Sequence, residues 1–474
     1  MKTLGALRIL SLFLLVVVNT ALANTKKDDD CIKDLSFTEF IKIIKEKLPS
    51  IKNNAIQVEK SQNTLYGTGS INDITAVGGV THYTNDNYNP TNPFSTYSSK
   101  KYESNLGLQK KFSLTGTNIE TGIKYSQIKD EITNNGNKYY RPVAYMEISQ
   151  PILKNAFGVV DRFTKNNAMM KVKIEELKKK EFDESDINYY KKLYYRWIVQ
   201  KEKLELLQQS IKNSELLENQ TRRKFKLGMT DNDDLQETVA SVLNYQQQYK
   251  INEIAYNQIK KEIEIYVNAE TPSEKYLEQR LNQNEKKSFA DIPFAETANT
   301  KIYELFKENL VYTQGVAKNK LLPELNVLAG YTLKSSGNSL DNAVNGMSDR
   351  DLYVGLSVII PLGNISAEKE LEDVSLDVAQ LNHEYFLSKN QYQKTLNDLL
   401  SSIYGYQSIL NVKEKKIKSL ESKYKTQSKK YKGARLNLRY LLDTSDQIVS
   451  EQIDILEIKN SLISYSIDYE DLTN

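Results

Sequence analysis

The 474-residue chain carries 64 Lys and Arg against 61 Asp and Glu, a formal charge of +3 that gives no support to nucleic-acid binding. With 39% hydrophobic and 26% charged residues it has neither an ordinary globular balance nor that of a helical membrane protein. After the N-terminus no apolar run reaches the roughly 18 residues that suggest a membrane helix. Cys31 is the only cysteine, which excludes an intramolecular disulfide, and the 31 tyrosines suit surfaces with one wet and one apolar side.

Lys2 and Arg8 are the only charges before the apolar run Ile9 to Val18, and Ala21-Leu22-Ala23 supplies an A-x-A cleavage pattern. Residues 1–23 therefore read as a secretory signal peptide, with a mature start near Asn24. Asp28-Asp29-Asp30 stand where a lipobox would precede Cys31, so lipidation there is not expected.

A first repeat is expected over 24–268. It opens with a helix from Phe37 to Gln62 and continues through a hairpin region over 65–150. Ala144, Met146 and Ile148 alternate there before Gln150-Pro151. The region has room for four alternating segments. Leu106, Leu108 and Phe112 mark one, and Ile119, Thr121, Ile123 and Tyr125 another, joined through Leu114-Thr115-Gly116. This extra hairpin over 104–127 lengthens an exposed loop, lines a barrel or adds strands. Long helices follow over 161–226 and 234–267, then an inter-repeat linker over 269–296.

The second repeat, 297–474, starts with a helix and holds a hairpin over 324–361. Leu325, Val327, Ala329, Tyr331 and Leu333 share one face; Leu352, Val354, Leu356, Val358 and Ile360 repeat the pattern. Each run has about the ten residues of a tilted bilayer-crossing strand, although a sandwich strand with one wet face alternates the same way. The polar segment Ser335 to Arg350 reads as their exposed connection. In the long helix over 365–430, Leu371, Val374, Val378, Leu381 and Tyr385, then Leu396, Leu399, Ile403, Tyr406 and Leu410, form a coiled-coil seam. A last helix is expected over 441–469.

The repeats match at a constant offset: 431 − 225, 434 − 228 and 441 − 235 each give 206, aligning Phe225 to Gly228 and Leu235 with Tyr431 to Ala434 and Leu441. Pro151 aligns with Pro361 at an offset of 210. One copy's strands would leave open edges, which lipid does not tolerate, so closure by further copies is expected.

Several motifs resemble those of the TolC-type outer-membrane efflux proteins. Ser149-Gln150-Pro151-Ile152-Leu153 is similar to their strand-ending S-Q-P-L motif, and Leu321-Leu322-Pro323-Glu324-Leu325 to their L-L-P-x-L strand entry. Val354 to Leu362, which contains Pro361, resembles their V-G-L-S-L-S-I-P-L strand. Arg223 to Gly228 and Tyr431 to Thr444 resemble their two helix reversals. The resemblance spans nearly the whole mature chain.

It implies an α+β membrane protein in the outer membrane of a Gram-negative-type cell. Three protomers would share a 12-stranded transmembrane β-barrel, about four strands each, set in outer-membrane lipid. The barrel would continue as a long α-helical periplasmic tunnel closed at the reversals. Such ducts are passive: an inner-membrane pump and a periplasmic adaptor serve them, and the cargo is a drug, another small molecule or, in type I secretion, a protein. At the constriction, Asp443 matches one acidic gate position and Tyr440 occupies the other. Tyr431 and Asp234 match a pair that links neighbouring helices, while capping a helix N-terminus is the plainer role for Asp231 and Asp233. Asp443 admits both a gate and a capping role.

No enzyme is expected. His82 and His383 are far apart in sequence, with no partner at metal-ligand spacing, and Gly67 to Gly69 lacks a phosphate-loop context. No cofactor, metal or nucleic acid is implied. A structural or adhesive coiled-coil protein of the cell envelope is the competing reading, and it leaves the paired strands before each long helix without a purpose.

Overall fold

The computed structural model describes residues 32–87, 97–131, 137–273, 275–287, 289–290, 292–433 and 435–473; the segment read as a signal peptide, Cys31 and Ala434 lie outside them. The chain divides into two units, each drawing on both sequence halves. One comprises residues up to Lys52, Phe182–Ile292 and Gln393–Asn474; the other comprises Asn53–Glu181 and Pro293–Tyr392.

The second unit is built on one antiparallel sheet. Its strands are β2 (Ile74–Asn87), β3 (Tyr97–Phe112), β4 (Thr117–Glu131), β5 (Asn137–Pro151), β7 (Glu324–Lys334) and β8 (Asp349–Ile359), in the order β2-β3-β4-β5-β7-β8. The expectation of about four strands per protomer is corrected to six in this sheet among the described residues. The extra hairpin joins the ladder along its full length, from Ile74↔Lys110 to Asn87↔Tyr97 on one side and from Asn118↔Ser149 to Asp130↔Asn137 on the other. Strands this long carry too many backbone donors and acceptors to lie apart from a sheet. Gly116, at φ +75°, makes the tight β3–β4 turn, its N–H bonding the Phe112 carbonyl at 2.8 Å.

The other unit packs helices around a small parallel pair, β1 (Ile32–Leu35) with β6 (Ala269–Pro272). The helix expected over Phe37–Gln62 is broken. α1 (Phe37–Lys47) stops at Leu48, whose backbone is extended, because Pro49 disfavours helical geometry before it and itself starts α2 (Pro49–Gly67). Ser36 caps α1, its Oγ accepting the Glu39 N–H at 3.2 Å.

Two long helices, α3 (Val159–Lys226) and α8 (Ile365–Lys432), are each 68 residues and contribute to both units. Their starts and ends share one offset, 365 − 159 and 432 − 226 both giving 206. The remaining helices are α4 (Asn232–Glu264), α5 (Lys275–Lys286), α6 (Ala298–Lys320), α7 (Leu340–Asn345) and α9 (Leu438–Thr473). The segment read as a linker thus holds β6 and α5, and the Ser335–Arg350 connection holds the short α7.

Aromatic burial anchors the helical unit. Phe40, Ile44, Tyr194, Trp197, Ile198 and Leu277 are fully or almost fully buried. The Tyr194 hydroxyl donates to the Leu35 carbonyl at 2.6 Å and accepts the Ser273 N–H at 3.2 Å, fixing the chain on both sides of the β1–β6 pair. Between α8 and α9, Glu451 is 8% exposed and accepts from Lys413 at 2.9 Å and Lys416 at 2.5 Å. Hydrogen bonds from Lys416 and then Lys413 hold its carboxyl below the usual glutamate range.

A depressed carboxylate pKa stabilises the fold above the unfolded-state value, and the contribution is lost as pH falls through the folded value. Glu451→Gln should therefore lower stability near neutral pH by about 1 kcal/mol, the scale of a partly exposed ion pair. The gap to wild type should close in acid. Thermal melts across pH check both, and a gap independent of pH would remove the ionic contribution.

Candidate channel wall and helix-reversal tip

Strand register gathers the apolar alternation onto one face. Reading across the sheet, Gly78↔Leu106, Leu106↔Ile123, Ile123↔Ala144, Ala144↔Leu333 and Leu333↔Arg350 make one row. Ala76, Leu108, Thr121, Met146, Tyr331 and Leu352 make the next. Two residues on, Ile119, Ile148, Ala329 and Val354 continue the face. It is open: Val80, Leu352 and Leu356 are 82%, 77% and 71% exposed. A soluble sandwich would cover such a face with a second sheet, and none is present among the described residues. Away from the strand–helix junctions the face ends in aromatic residues, with His82 stacked on Tyr102 at 4.3 Å and Tyr125 near Tyr140 at 6.3 Å.

The opposite face is polar and organised around tyrosines lying over glycines. Glu147, Gly330 and Tyr353 pair in one row across β5, β7 and β8. The Tyr353 ring covers Gly330, where an added Cβ would stand 2.2 Å from the ring's Cζ, and its hydroxyl donates to Glu147. Tyr145 lies beside Gly122 and Gly107 in the same manner, and its hydroxyl donates to Glu120 at 2.6 Å. Glycine gives up β propensity so that an aromatic ring can cross its strand, the ring restoring the packing the missing side chain forgoes.

The strand-end motifs sit at the junctions. Pro151 closes β5, Pro323 precedes β7 and Pro361 follows β8, positions where a missing N–H costs the ladder little. The Gln150 side chain donates to the Thr115 carbonyl at 3.0 Å and accepts the Thr117 hydroxyl, tying β5 to the β3–β4 turn. Asp161 in the first turn of α3 is nearly buried and accepts from Lys111 and Asn155, both at 2.7 Å. Asn155 itself stands at φ 62°.

At the first reversal, Gly228 adopts φ +67°, with its N–H on the Phe225 carbonyl at 2.9 Å and the Met229 N–H on the Lys224 carbonyl at 2.8 Å. This is a Schellman ending that glycine permits. Asp231 takes the cap position of α4 without a side-chain capping bond, and Asp233 and Asp234 lie in its first turn. At the second, the Arg435 N–H bonds the Lys430 carbonyl at 2.9 Å and Asn437 accepts the Arg439 N–H at 2.8 Å. Leu438, Leu441 and Leu442 are buried with Tyr431, against Leu217 and Tyr424; Leu235 is buried too.

Tyr431 and Asp234 do not pair within the chain. The Tyr431 hydroxyl faces Thr221 at 3.4 Å and its ring lies under the Lys224 ammonium at 3.9 Å, while Asp234 accepts from Thr230. Asp443 is exposed with no partner among the described residues, and Tyr440 is 60% exposed. The tyrosine–glycine rows and Asp161 were not singled out from sequence: alternation identifies a strand, whereas these contacts depend on which strand lies beside it.

No family model and no curated protein sequence matches the chain. Solved structures do match. The CmeC outer membrane channel of Campylobacter jejuni aligns at 13% identity and a TM-score of 0.62, over 92% of this chain and 85% of that one. The open-state MtrE outer membrane channel of Neisseria gonorrhoeae aligns at 13% identity and 0.64, over 92% and 88%. The outer membrane protein VceC of Vibrio cholerae aligns at 10% identity and 0.63, over 92% and 96%. The chain has the fold of TolC-type outer-membrane channels.

Gly330→Ala places a methyl inside the Tyr353 ring and should displace it from Glu147, at a cost of about 1–3 kcal/mol for overpacking. Tyr353→Ala in the same background should recover part of the loss by making room. Thermal unfolding of the two variants in detergent tests the row; equal stability of Gly330→Ala and wild type would exclude it.

Proposed function

We propose that the chain is a protomer of an outer-membrane exit duct, passively conducting drugs, other small molecules or proteins outward from an inner-membrane pump. The observation that carries this is the sheet: among the described residues one face is apolar and uncovered, the other polar, and both edges, β2 and β8, have no further strand beside them. In lipid an open edge leaves backbone groups unsatisfied at several kcal/mol each, so further copies must close the sheet into a barrel. The apolar face then meets hydrocarbon, the terminal aromatic residues meet the headgroups, and the polar face lines the bore.

Closure by three copies gives eighteen strands, from six in each protomer. Barrel diameter grows roughly linearly with strand number, so the bore would be about one and a half times that of a twelve-stranded wall, within the range that leaves an aqueous channel. The helices carry the conduit into the periplasm, where an adaptor engages the reversals. No step of this function requires a catalytic group.

Asp443 of each copy would stand near the axis at the reversals. Three carboxylates about a narrow axis repel one another and attract cations, as acidic rings do in cation channels. Asp443→Ala should reduce cation selectivity in planar bilayers, and unchanged selectivity would remove Asp443 from the constriction.

The mature protein, purified from outer membranes in mild detergent, should give threefold particles with a stain-filled bore in electron microscopy, and eighteen strands in the wall at higher resolution. A solid rod or a compact monomer overturns the duct; a twofold particle with a twelve-stranded wall overturns the trimer alone.

A further inference from the structure

The duplication provides an internal control on the charge of the two reversals. Residues 422–442 correspond, at the 206-residue offset, to 216–236. The first-repeat stretch has four cations, Arg222, Arg223, Lys224 and Lys226, and four anions, Glu218, Asp231, Asp233 and Asp234, for a net charge of zero. The second has seven cations, Lys423, Lys425, Lys429, Lys430, Lys432, Arg435 and Arg439, and no anion, a net charge of +7; Glu421 and Asp443 border it as Glu215 and Glu237 border the first, which leaves the difference of seven between the two unchanged. The whole chain is +3, so the remainder is 3 − 7 = −4.

All seven cations are exposed, and none makes an ion pair among the described residues. Just upstream the pattern differs: Lys413 and Lys416 are engaged by Glu451 and Asp454. Along α8, Lys418, Lys425, Lys429 and Lys432 recur at seven, four and three residues, a single stripe. It lies to one side of the seam Ile417, Leu420, Tyr424 and Tyr431, whose last two members pack in the reversal's core. Complementing the helix dipole explains a cation or two in a last turn. It does not explain seven, because α3 ends on an equally long helix with a balanced reversal.

We propose that the second reversal is a docking surface for an acidic protein segment, a helix presenting carboxylates along one side for about four turns, the span of the stripe at 1.5 Å per residue. Like charges set this close repel until a partner neutralises them, so complementary carboxylates gain both in encounter rate and in partner choice. The neutral first reversal offers no such preference, and the partner would thereby distinguish two surfaces that the duplication makes alike in backbone. This rests on the duct reading, in which the reversals face the periplasm, and it gives the adaptor's docking element its chemistry.

A photoreactive p-benzoylphenylalanine placed at exposed Thr426, which leaves every cation intact, tests it in living cells. Gln220, its exposed counterpart at the 206-residue offset, is the control position. The expected adduct forms from Thr426 and not from Gln220. Its partner peptide, mapped by mass spectrometry, belongs to a different protein and carries carboxylates at helical spacing. The triple variant Lys425→Glu, Lys429→Glu, Lys432→Glu should lose at least nine-tenths of it. An adduct to Asp231, Asp233 or Asp234 of another copy would mean that the assembly neutralises itself and would overturn the proposal. A lipid adduct, a partner peptide without carboxylates, equal labelling from Gln220, or no adduct would overturn it as well. Electron microscopy of the same variants separates this failure from that of the duct, since threefold particles with a bore persist if only the docking assignment is wrong.

Discussion

A sheet that is apolar on one side and unpaired at both edges cannot be satisfied by the chain that makes it. The six-stranded ladder of this protein pairs its interior strands on both sides, with thirteen or more registered pairs between each of the first four and nine between β5 and β7. Among the described residues it leaves β2 and β8 at the edges without a neighbouring strand on their outer sides. In water such edges are blunted by charge, by proline or by brevity, and the apolar face is covered. Here the edge strand β8 puts Leu352, Val354, Leu356 and Val358 in the open, with no covering layer. On the proposed duct reading, lipid rewards the apolar surface and further copies satisfy the backbone groups, so both features have one cause.

The polar side follows from the same constraint. In the proposed duct, a wall that is wet on one side gains little from burying its inner side chains, so its rigidity comes from contacts across strands. The two tyrosine–glycine rows supply them. In each, a ring spans a neighbouring strand and its hydroxyl ends on a glutamate, Glu147 or Glu120. A carboxylate in such a bond is charge-assisted and still faces solvent, which avoids the penalty a buried charge would carry.

Helices and strand pairs announced themselves in the sequence because their periods are local: three-and-four spacing in α8, alternation in β7 and β8. The number of strands in the wall did not. Alternation over Leu106 to Tyr125 says that a strand exists and leaves open whether it joins the ladder or stands above it; only the register with β2 and β5 decides. The break at Leu48 was visible in principle, since Pro49 restricts the residue before it. The proposed Tyr431–Asp234 pair came from resemblance alone. Within the chain each group has a nearer threonine, Thr221 and Thr230, so a link between them would have to be made across copies.

Duplication fixed backbone geometry and released surface chemistry. α3 and α8 keep the same length and offset over 68 residues, and both turn back within a few residues. Equal length is what closure of the proposed wall from repeated parts would demand, because a helix one turn longer in one repeat would move its reversal by about 5.4 Å relative to the other. Side chains facing outward carry no such demand. Beside the extra strand pair of the first repeat, that is where the halves diverge: Met229 stands against Arg435 and Asp233 against Arg439 at the shared offset. Drift alone would scatter cations and anions over both reversals. Seven cations on one reversal against a balanced four and four on the other is the asymmetry that the proposed acidic partner accounts for.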